Sequence, residues 1–190
     1  MKIGIFGGSF NPIHNAHIDI VKYILEKLDL DKIIVIPVGK PSHKSMKLAD
    51  DKMRYKMCEL AFSGMDKVEI SDIEINDKSI SYTIETLNKL REIYGEDNEY
   101  FEIVGEDCID TLDTWKDYKQ ILKLSKMIVF KRFEDEHKRD DKNIIYLDTP
   151  LFKISSTMLR EKIRNKEDIK DYVPKEIEKL IMEENLYSEV

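Results

Sequence analysis

Residues 3–17 read Ile-Gly-Ile-Phe-Gly-Gly-Ser-Phe-Asn-Pro-Ile-His-Asn-Ala-His, and this stretch decides the fold of the chain. Its apolar start, Ile3 to Phe6, predicts a short strand that ends at the pair Gly7 and Gly8. The two histidines stand where the next helix should begin. A strand, a glycine turn and a helix N-terminus together make a phosphate site from backbone groups. The stretch therefore predicts a site for a nucleotide triphosphate.

The composition sets limits on the class of protein. The 190 residues carry a net charge of -7, and 42% are hydrophobic and 36% charged, which is typical of one soluble globular domain over residues 1–190. This acidic balance disfavours nucleic acid and anionic membranes as partners, because both need a basic surface. Two distant cysteines, Cys58 and Cys108, and the lack of a signal-peptide pattern or a transmembrane-length apolar run predict a cytoplasmic protein.

Strand-like and helix-like segments alternate along the chain. Apolar runs predict further strands at 32–36, 68–71, 100–104, 127–130 and 144–147, and an exposed edge segment at 73–75. Helical spacing predicts helices at 18–28, 51–62, 81–90, 155–164 and 174–186, and an interrupted helix at 107–124. This order predicts a Rossmann-like α/β fold, in which a doubly wound, mostly parallel sheet carries helices on both faces. The C-terminal part is predicted to be helical from about residue 155.

A pair of histidines lies at the predicted start of the first helix. His14 and His17 are three residues apart and so share a face, with Asn15 as the predicted N-cap. Both rings can then point at one anion, and a nearby triphosphate favours their charged forms. The simpler alternative is a tight turn with two solvent-exposed histidines. Zinc is disfavoured, because the pair supplies only two ligands and no cysteine or further histidine lies at metal spacing.

Three other groups of residues are candidates for binding. Ser155 and Ser156 begin a predicted helix and Arg160 follows one turn later, so this end can bind phosphate oxygens, although an ordinary N-cap with a surface arginine is the simpler interpretation. Asp107, just after the 100–104 strand, can accept hydrogen bonds from ribose hydroxyls or cap a helix. Trp115 can stack on a flat ring or pack in the core.

The motifs at the two ends of the chain resemble those of the nucleotidylyltransferase superfamily. They are Gly7-Gly8-Ser9-Phe10-Asn11-Pro12 with His14-x-x-His17, and Ile154-Ser155-Ser156-Thr157-x-x-Arg160. Within it, the chain is similar to bacterial nicotinate-mononucleotide adenylyltransferases along nearly its whole length, through the segments 37–44, 54–61, 81–87, 105–115, 130–132 and 172–174. It departs from them at Ser9, Asn11 and Ala16, where Thr, Asp and Gly are common, and at Glu106, where a small residue is common.

The resemblance implies an enzyme of NAD biosynthesis that transfers AMP from ATP to nicotinate mononucleotide, with Mg²⁺ bridging the ATP phosphates and no dedicated metal ligands. It implies catalytic roles for His14, His17 and Arg160, ATP binding by Gly7, Gly8, Ser9, Phe10, Gly105, Asp107, Ser155 and Ser156, and mononucleotide binding by Lys44, Thr83, Trp115 and Arg132. For Lys44 and Arg132 the alternative is a solvated charge. A phosphopantetheine adenylyltransferase and a non-catalytic nucleotide sensor are the rival interpretations, and a homo-oligomer is left open.

Overall fold

Two parallel sheets organise the structure, a computed structural model that describes residues 1–42, 48–131, 139–151 and 153–188. The strands are β1 (Lys2–Gly8), β2 (Lys32–Pro37), β3 (Lys40–Pro41), β4 (Val68–Ile70), β5 (Ile80–Ser81), β6 (Glu99–Gly105), β7 (Lys126–Phe130) and β8 (Ile144–Leu147). Six of them form the main sheet in the order β4-β2-β1-β6-β7-β8, and β3 pairs with β5. All the strand pairs of these sheets are parallel.

Seven α-helices in the described residues connect and cover the strands. They are α1 (Asn15–Lys27), α2 (Asp51–Ala61), α3 (Thr83–Tyr94), α4 (Asp107–Asp110), α5 (Tyr118–Leu124), α6 (Ser156–Arg164) and α7 (Lys175–Glu183). A short 3₁₀ helix, Leu112–Thr114, lies between α4 and α5, so the predicted interruption of the 107–124 helix is confirmed. None of the helices in the described ranges is both long enough and apolar enough to cross a membrane.

The strand order confirms the predicted doubly wound fold. The chain starts in the middle of the sheet, builds outward to β4, and then returns to add β6, β7 and β8 on the other side of β1. The direction of winding therefore reverses between β1 and β6, and ligands of such sheets bind beyond the carboxyl ends of the strands at this reversal. Gly7 and Gly8 end β1 and Gly105 ends β6, so both predicted glycine positions lie at that point.

Apolar side chains cover both faces of the sheet, as predicted. On one face, residues of α1, α2, α6 and α7 such as Ile24, Met57, Leu159 and Ile177 pack against alternate strand residues. On the other face, α3 and α5 contribute Leu87 and Ile121 to a second core cluster. The continuous apolar runs of β2 and β7 follow from this burial on both sides. The assignment of all 190 residues to one domain stays a prediction.

The segment at 73–75 differs from its prediction as an exposed edge segment, since it is half-buried and forms no strand in the structure. Its chain turns, with the N–H of Asn76 donating to the carbonyl of Asp72, and the Glu74 carboxylate accepts a hydrogen bond from Thr86 on α3. The backbone of Glu74 also packs so closely on Gly39 that a Cβ at Gly39 would lie 2.0 Å from its carbonyl oxygen. The alternation of Ile and acidic residues at 73–75 therefore belongs to a half-buried loop that packs against β2 and α3.

Arg54 on α2 is buried completely, which is unusual for an arginine. Its guanidinium donates to the carbonyl oxygens of Ser9, Val38 and Ala49, and it forms an ion pair with Asp51. Ser9 follows β1, Val38 follows β2 and Ala49 precedes α2, so one side chain joins three segments of the chain. The cost of burying this charge is offset by these bonds, so its removal leaves several buried carbonyls without a donor.

We expect Arg54→Met to lower the free energy of unfolding by about 3–5 kcal/mol, the range typical for breaking a buried charged network. Urea denaturation followed by circular dichroism measures this loss. Lys56→Met on the exposed side of the same helix is the matched control and should change stability by less than about 0.5 kcal/mol. Equal stability of the two variants would contradict the structural role given to Arg54.

Candidate active site

Four backbone carbonyls, at the end of β1 and in the turn that follows it, accept hydrogen bonds from other parts of the protein. The carbonyl of Gly8 accepts from the N–H of Val38 at 2.8 Å, that of Ser9 from Arg54 at 2.9 Å, that of Asn11 from Arg160 at 2.7 Å, and that of Pro12 from the Ser156 hydroxyl at 2.8 Å. The C=O and N–H of a trans peptide unit point in opposite directions. The bonds to the carbonyls of Gly8, Ser9 and Pro12 therefore fix the directions of the N–H groups that follow them, whereas the unit after Asn11 has no N–H because Pro12 follows.

The two predicted histidines lie together at the start of α1. Their rings are stacked, with centroids 3.7 Å apart and planes 27° apart, so the prediction that they share a face is confirmed. The backbone N–H of His14 donates to Nδ1 of His17 at 3.2 Å, which leaves the proton of a neutral His17 ring on Nε2. The charged form of His17 would need this bond to be lost. Two cationic rings at this distance also repel each other, so double charging requires a nearby anion.

The predicted N-cap at Asn15 is wrong, because the N-cap of α1 is His14. Asn15 is instead the first residue of the helix, and it is engaged by the C-terminal part of the chain. Its backbone N–H donates to the carbonyl of Tyr172, and its side-chain amide donates to the carbonyl of Asp171. The extended N-cap residue, His14, is stabilised by the hydrogen bond from its backbone N–H to His17. A conventional capping side chain is therefore not needed at this position.

The second predicted motif lies beside this turn. Ser155 is the N-cap of α6 and its hydroxyl accepts from the N–H of Met158, which leaves the hydroxyl proton available to a ligand. The Ser156 hydroxyl is used on Pro12, and Arg160 donates to Asn11 and to the Thr157 hydroxyl. Burial lowers the pKa of Arg160, which is nevertheless a group that stays charged in proteins. The simpler alternative of a surface arginine is wrong, since this guanidinium binds the turn.

A cleft of about 370 Å³ opens over the turn, the histidines and the start of α6. Twelve of the predicted site residues line it: Gly7, Gly8, Ser9, Phe10, His14, His17, Gly105, Asp107, Trp115, Ser155, Ser156 and Arg160. Its lining includes cationic and hydroxyl groups together with the carboxyl end of β6. We call this space the larger cleft. Its lining by donors from three separate elements suits an extended anionic ligand.

A second, smaller cleft of about 240 Å³ adjoins the first. Both are lined by Gly7, Gly8, Ser9, Ile103, Val104 and Trp115, so they share a wall. Among the predicted residues that are described, Thr83 at the start of α3 is the one that lines the smaller cleft and not the larger one. Glu74 and Glu102 also line the smaller cleft. The half-buried Trp115 thus stands at the junction of the two spaces, and the prediction that it is available to a ligand fits this position. Lys44 and Arg132 lie outside the described residues.

Four residues that line or support the two clefts were not among the site residues predicted from the sequence. Lys131 and Cys108 line the larger cleft, Glu102 lines the smaller one, and Arg54 supports the turn from behind. Lys131 could have been found from its place at the carboxyl end of a predicted strand. Glu102 carries a signal too, because a carboxylate in the middle of an apolar strand is rare without a partner or a function.

Comparison with known proteins places the site in a wider group. The model of the cytidylyltransferase-like family matches residues 5–162. A Fusobacterium nucleatum protein named "probable nicotinate-nucleotide adenylyltransferase" is 52% identical, with 97% of this chain and 98% of that protein covered. A Clostridium novyi protein of the same name is 40% identical, with 98% of both covered. The fold matches Plasmodium falciparum nicotinic acid mononucleotide adenylyltransferase complexed with NaAD, at a TM-score of 0.81 and 22% identity, over 98% of this chain and 97% of that one.

Gly7 provides a direct test of the larger cleft. A Cβ added there would meet no atom within 4 Å, so it would project into the open space that both clefts share. We expect Gly7→Ala to keep or slightly raise the melting temperature but to weaken the binding of ATP, the ligand that the motifs predict, by about tenfold, because steric overlap would cost about 1.4 kcal/mol. Calorimetric titration with ATP and a thermal melt measure the two effects.

Gly4→Ala on the same strand is the matched control. Its Cβ would meet side-chain atoms of Ile103 and Ile33 at 3.0 Å, so it should lower the melting temperature, and any loss of ATP binding should follow the loss of folded protein. If Gly7→Ala bound ATP as tightly as the unchanged protein, the larger cleft would not be the site of the nucleotide.

Proposed function

The chain belongs to the nicotinate-nucleotide adenylyltransferases of the cytidylyltransferase-like family, and from this premise we propose that its two clefts hold the two substrates of one adenylyl transfer. The enzyme transfers the adenylyl group of ATP to nicotinate mononucleotide in NAD biosynthesis, giving deamido-NAD and pyrophosphate. The observation that carries the proposal is the shared wall of the clefts, formed by the Gly7–Ser9 turn and Trp115. Two ligands on either side of this wall would meet at the turn.

The reaction asks little covalent chemistry of the protein. A phosphate oxygen of the mononucleotide bonds to the α-phosphorus of ATP while the bond from that phosphorus to the bridging oxygen of pyrophosphate breaks. The incoming oxygen is already anionic, so no general base and no covalent enzyme intermediate are needed. The contribution of the protein is to align the two substrates and to stabilise the charge that spreads over the transferring phosphoryl group.

We assign ATP to the larger cleft. Its phosphates would lie against the turn, His14, His17 and the start of α6, and its adenosine against Gly105 and Asp107. His17 would donate from Nε2 to an oxygen of the α-phosphate, because its Nδ1 is held by the backbone of His14. The Ser155 hydroxyl and the first N–H groups of α6 would donate to the outer phosphates, with Arg160 beside them.

We assign the mononucleotide to the smaller cleft and to Lys44 and Arg132. Trp115 would stack on the pyridine ring, because an indole offers a large flat face at the junction of the clefts. Thr83 is the first residue of α3, whose N-cap Tyr82 makes no side-chain capping bond. The N–H groups of the first helical turn lack intrahelical partners, so this end of α3 can donate to an anionic group of the acceptor.

A divalent metal acts with the phosphates of ATP in nucleotidyltransferases generally, and we propose Mg²⁺ for this one. Across the described parts of the chain, no three His, Cys, Asp or Glu side chains cluster as a metal site. Among the described residues, Asp107 is the one carboxylate that lines the larger cleft, so these residues fit an ion held mainly by phosphate oxygens and water. When bound, the ion would neutralise part of the phosphate charge.

The cellular setting extends the proposal. We propose a cytoplasmic enzyme that acts on nucleotides and binds neither nucleic acid nor membranes, in keeping with the net charge of -7. Both cysteines, Cys58 and Cys108, are free thiols, as in proteins of reducing compartments. A homo-oligomer stays a prediction.

The release of pyrophosphate from ATP tests the function directly. We expect release with nicotinate mononucleotide as the acceptor, slower release with nicotinamide mononucleotide, and none with phosphopantetheine. A coupled pyrophosphate assay measures all three, and a His17→Ala preparation should lose at least about 10² of the rate, the size typical of one removed transition-state donor. Release with phosphopantetheine alone would favour the rival adenylyltransferase, and ATP binding without any release would favour the nucleotide sensor.

Trp115→Ala tests the division of the clefts. Loss of a stacking partner should raise the KM for the mononucleotide by about tenfold or more, since stacking of a base on an aromatic ring contributes roughly 1–3 kcal/mol. The KM for ATP should change by less than about threefold. Steady-state kinetics with each substrate varied in turn separates the two, and Trp115→Phe, which keeps a flat ring, should recover most of the loss. A larger effect on ATP would place Trp115 on the nucleotide side.

A further inference from the structure

Glu102 is a carboxylic acid buried in the middle of the main sheet. It lies on β6 between two apolar neighbours, Ile5 on β1 and Met127 on β7. Only 5% of its surface is exposed, and its Oε1 has no hydrogen-bond partner among the described residues. Burying a polar atom without a hydrogen-bond partner costs free energy, so the position of Glu102 needs an explanation that the fold alone does not give. The reason can be a ligand, because the side chain lines the smaller cleft.

The surroundings of Glu102 favour its protonated form. Among the described residues that line the cleft, the other carboxylate is that of Glu74, which accepts a hydrogen bond from the Thr86 hydroxyl of α3. The flanking strands present apolar side chains, and α3 presents Thr83, so no described cation offsets the acidic pair within the cleft. Burial, together with Glu74, raises the pKa of Glu102 to about 8. At neutral pH the group is therefore mostly a neutral donor.

A neutral carboxyl and the start of α3 face the same space. The first N–H groups of α3 supply donors at Thr83, a protonated Glu102 supplies an O–H, and both residues line the smaller cleft. An anion that enters beside two acidic side chains is accepted only when at least one of them is neutral. The two features are independent, and both suit a carboxylate group on a flat ring held against Trp115.

We propose that protonated Glu102 donates a hydrogen bond to the carboxylate of the pyridine ring and so sets the preference for nicotinate over nicotinamide mononucleotide. This inference rests on the proposed function, because it takes the smaller cleft as the mononucleotide site. The ionised form of Glu102 repels the ring carboxylate, whereas it can accept a hydrogen bond from the neutral amide of nicotinamide. The preference for the acid therefore weakens as Glu102 loses its proton.

The test is the ratio of kcat/KM for nicotinate mononucleotide to kcat/KM for nicotinamide mononucleotide, measured between pH 6.5 and 9.5. Taking the ratio cancels titrations that both substrates share, such as those of the histidines and of the substrate phosphates. We expect the ratio in the unchanged enzyme to fall about tenfold between pH 7 and pH 9, as a group with a pKa near 8 requires. Where nicotinamide mononucleotide turns over too slowly, its competitive inhibition constant replaces its kcat/KM.

Glu102→Gln keeps a neutral donor at the same place and cannot ionise. We expect its ratio to stay high and to change less than about twofold over the same pH range. Glu99→Gln removes the same charge from an exposed position on the same strand and should titrate like the unchanged enzyme. A ratio that does not vary with pH in the unchanged enzyme, or that falls equally in Glu102→Gln, overturns the inference. No turnover of either mononucleotide would instead overturn the proposed function.

Stability gives a readout that needs no substrate. A carboxyl whose pKa is raised in the folded state holds a proton that the unfolded chain has lost, so the unchanged protein becomes less stable as pH rises from about 4.5 to 8. Glu102→Gln lacks this decrease, so the difference in melting temperature between it and the unchanged protein should grow in its favour over that window. A constant difference would show that Glu102 is ionised at neutral pH and would remove the donor that the inference requires.

Discussion

The structure depends on how the turn after β1 has its carbonyl groups bound. Two arginines from different helices, Arg54 of α2 and Arg160 of α6, donate to the carbonyl oxygens of Ser9 and Asn11 in this turn. The turn passes through Phe10 with a φ of 42°, a region that side chains seldom adopt, so it needs such external bonds to persist. The two arginines thus fix the shape of the backbone that lines the larger cleft.

The shared wall of the two clefts is formed in large part by one short stretch, the Gly7–Ser9 turn. Gly7 lies where β1 and β6 diverge, at the reversal of the sheet winding, and nothing fills the space beside its Cα. A nucleotide on one side and an acceptor on the other can therefore approach across backbone alone. Trp115 reaches the same junction from a short connection between the 3₁₀ helix and α5, which Lys116 ties to α3 through its ion pair with Glu85. The position of the ring is thus set from outside the cleft.

Much of this could be predicted from the sequence, and the residues show why. The strands of the main sheet were found because each is a largely apolar run, and most residues that line the larger cleft were singled out because glycine, histidine and hydroxyl residues stand at the ends of those runs. The pairing of β3 with β5 involves two residues on each side, which leaves no periodic pattern to detect. The hydrogen bonds that Arg54 and Ser156 donate to the turn could not be predicted either, because a bond to a carbonyl that is distant along the chain produces no pattern in local spacing. Asn15 was misplaced by one position for a related reason, since its partners lie in the C-terminal segment.

Three hydrogen bonds around the first histidine join the two ends of the chain. Ser156 to Pro12, Arg160 to Asn11, and Asn15 to Asp171 close loops of 144, 149 and 156 residues. Contacts of such high order form late, because the entropy of closing a long loop must be met before the contact contributes. On the ribosome, a nascent chain that has emerged as far as β8 can have its strands but cannot yet have this turn in its final shape. The turn thus reaches its final shape only after residues 156–171 have been synthesised, and a chain that terminates before them has a sheet without this turn.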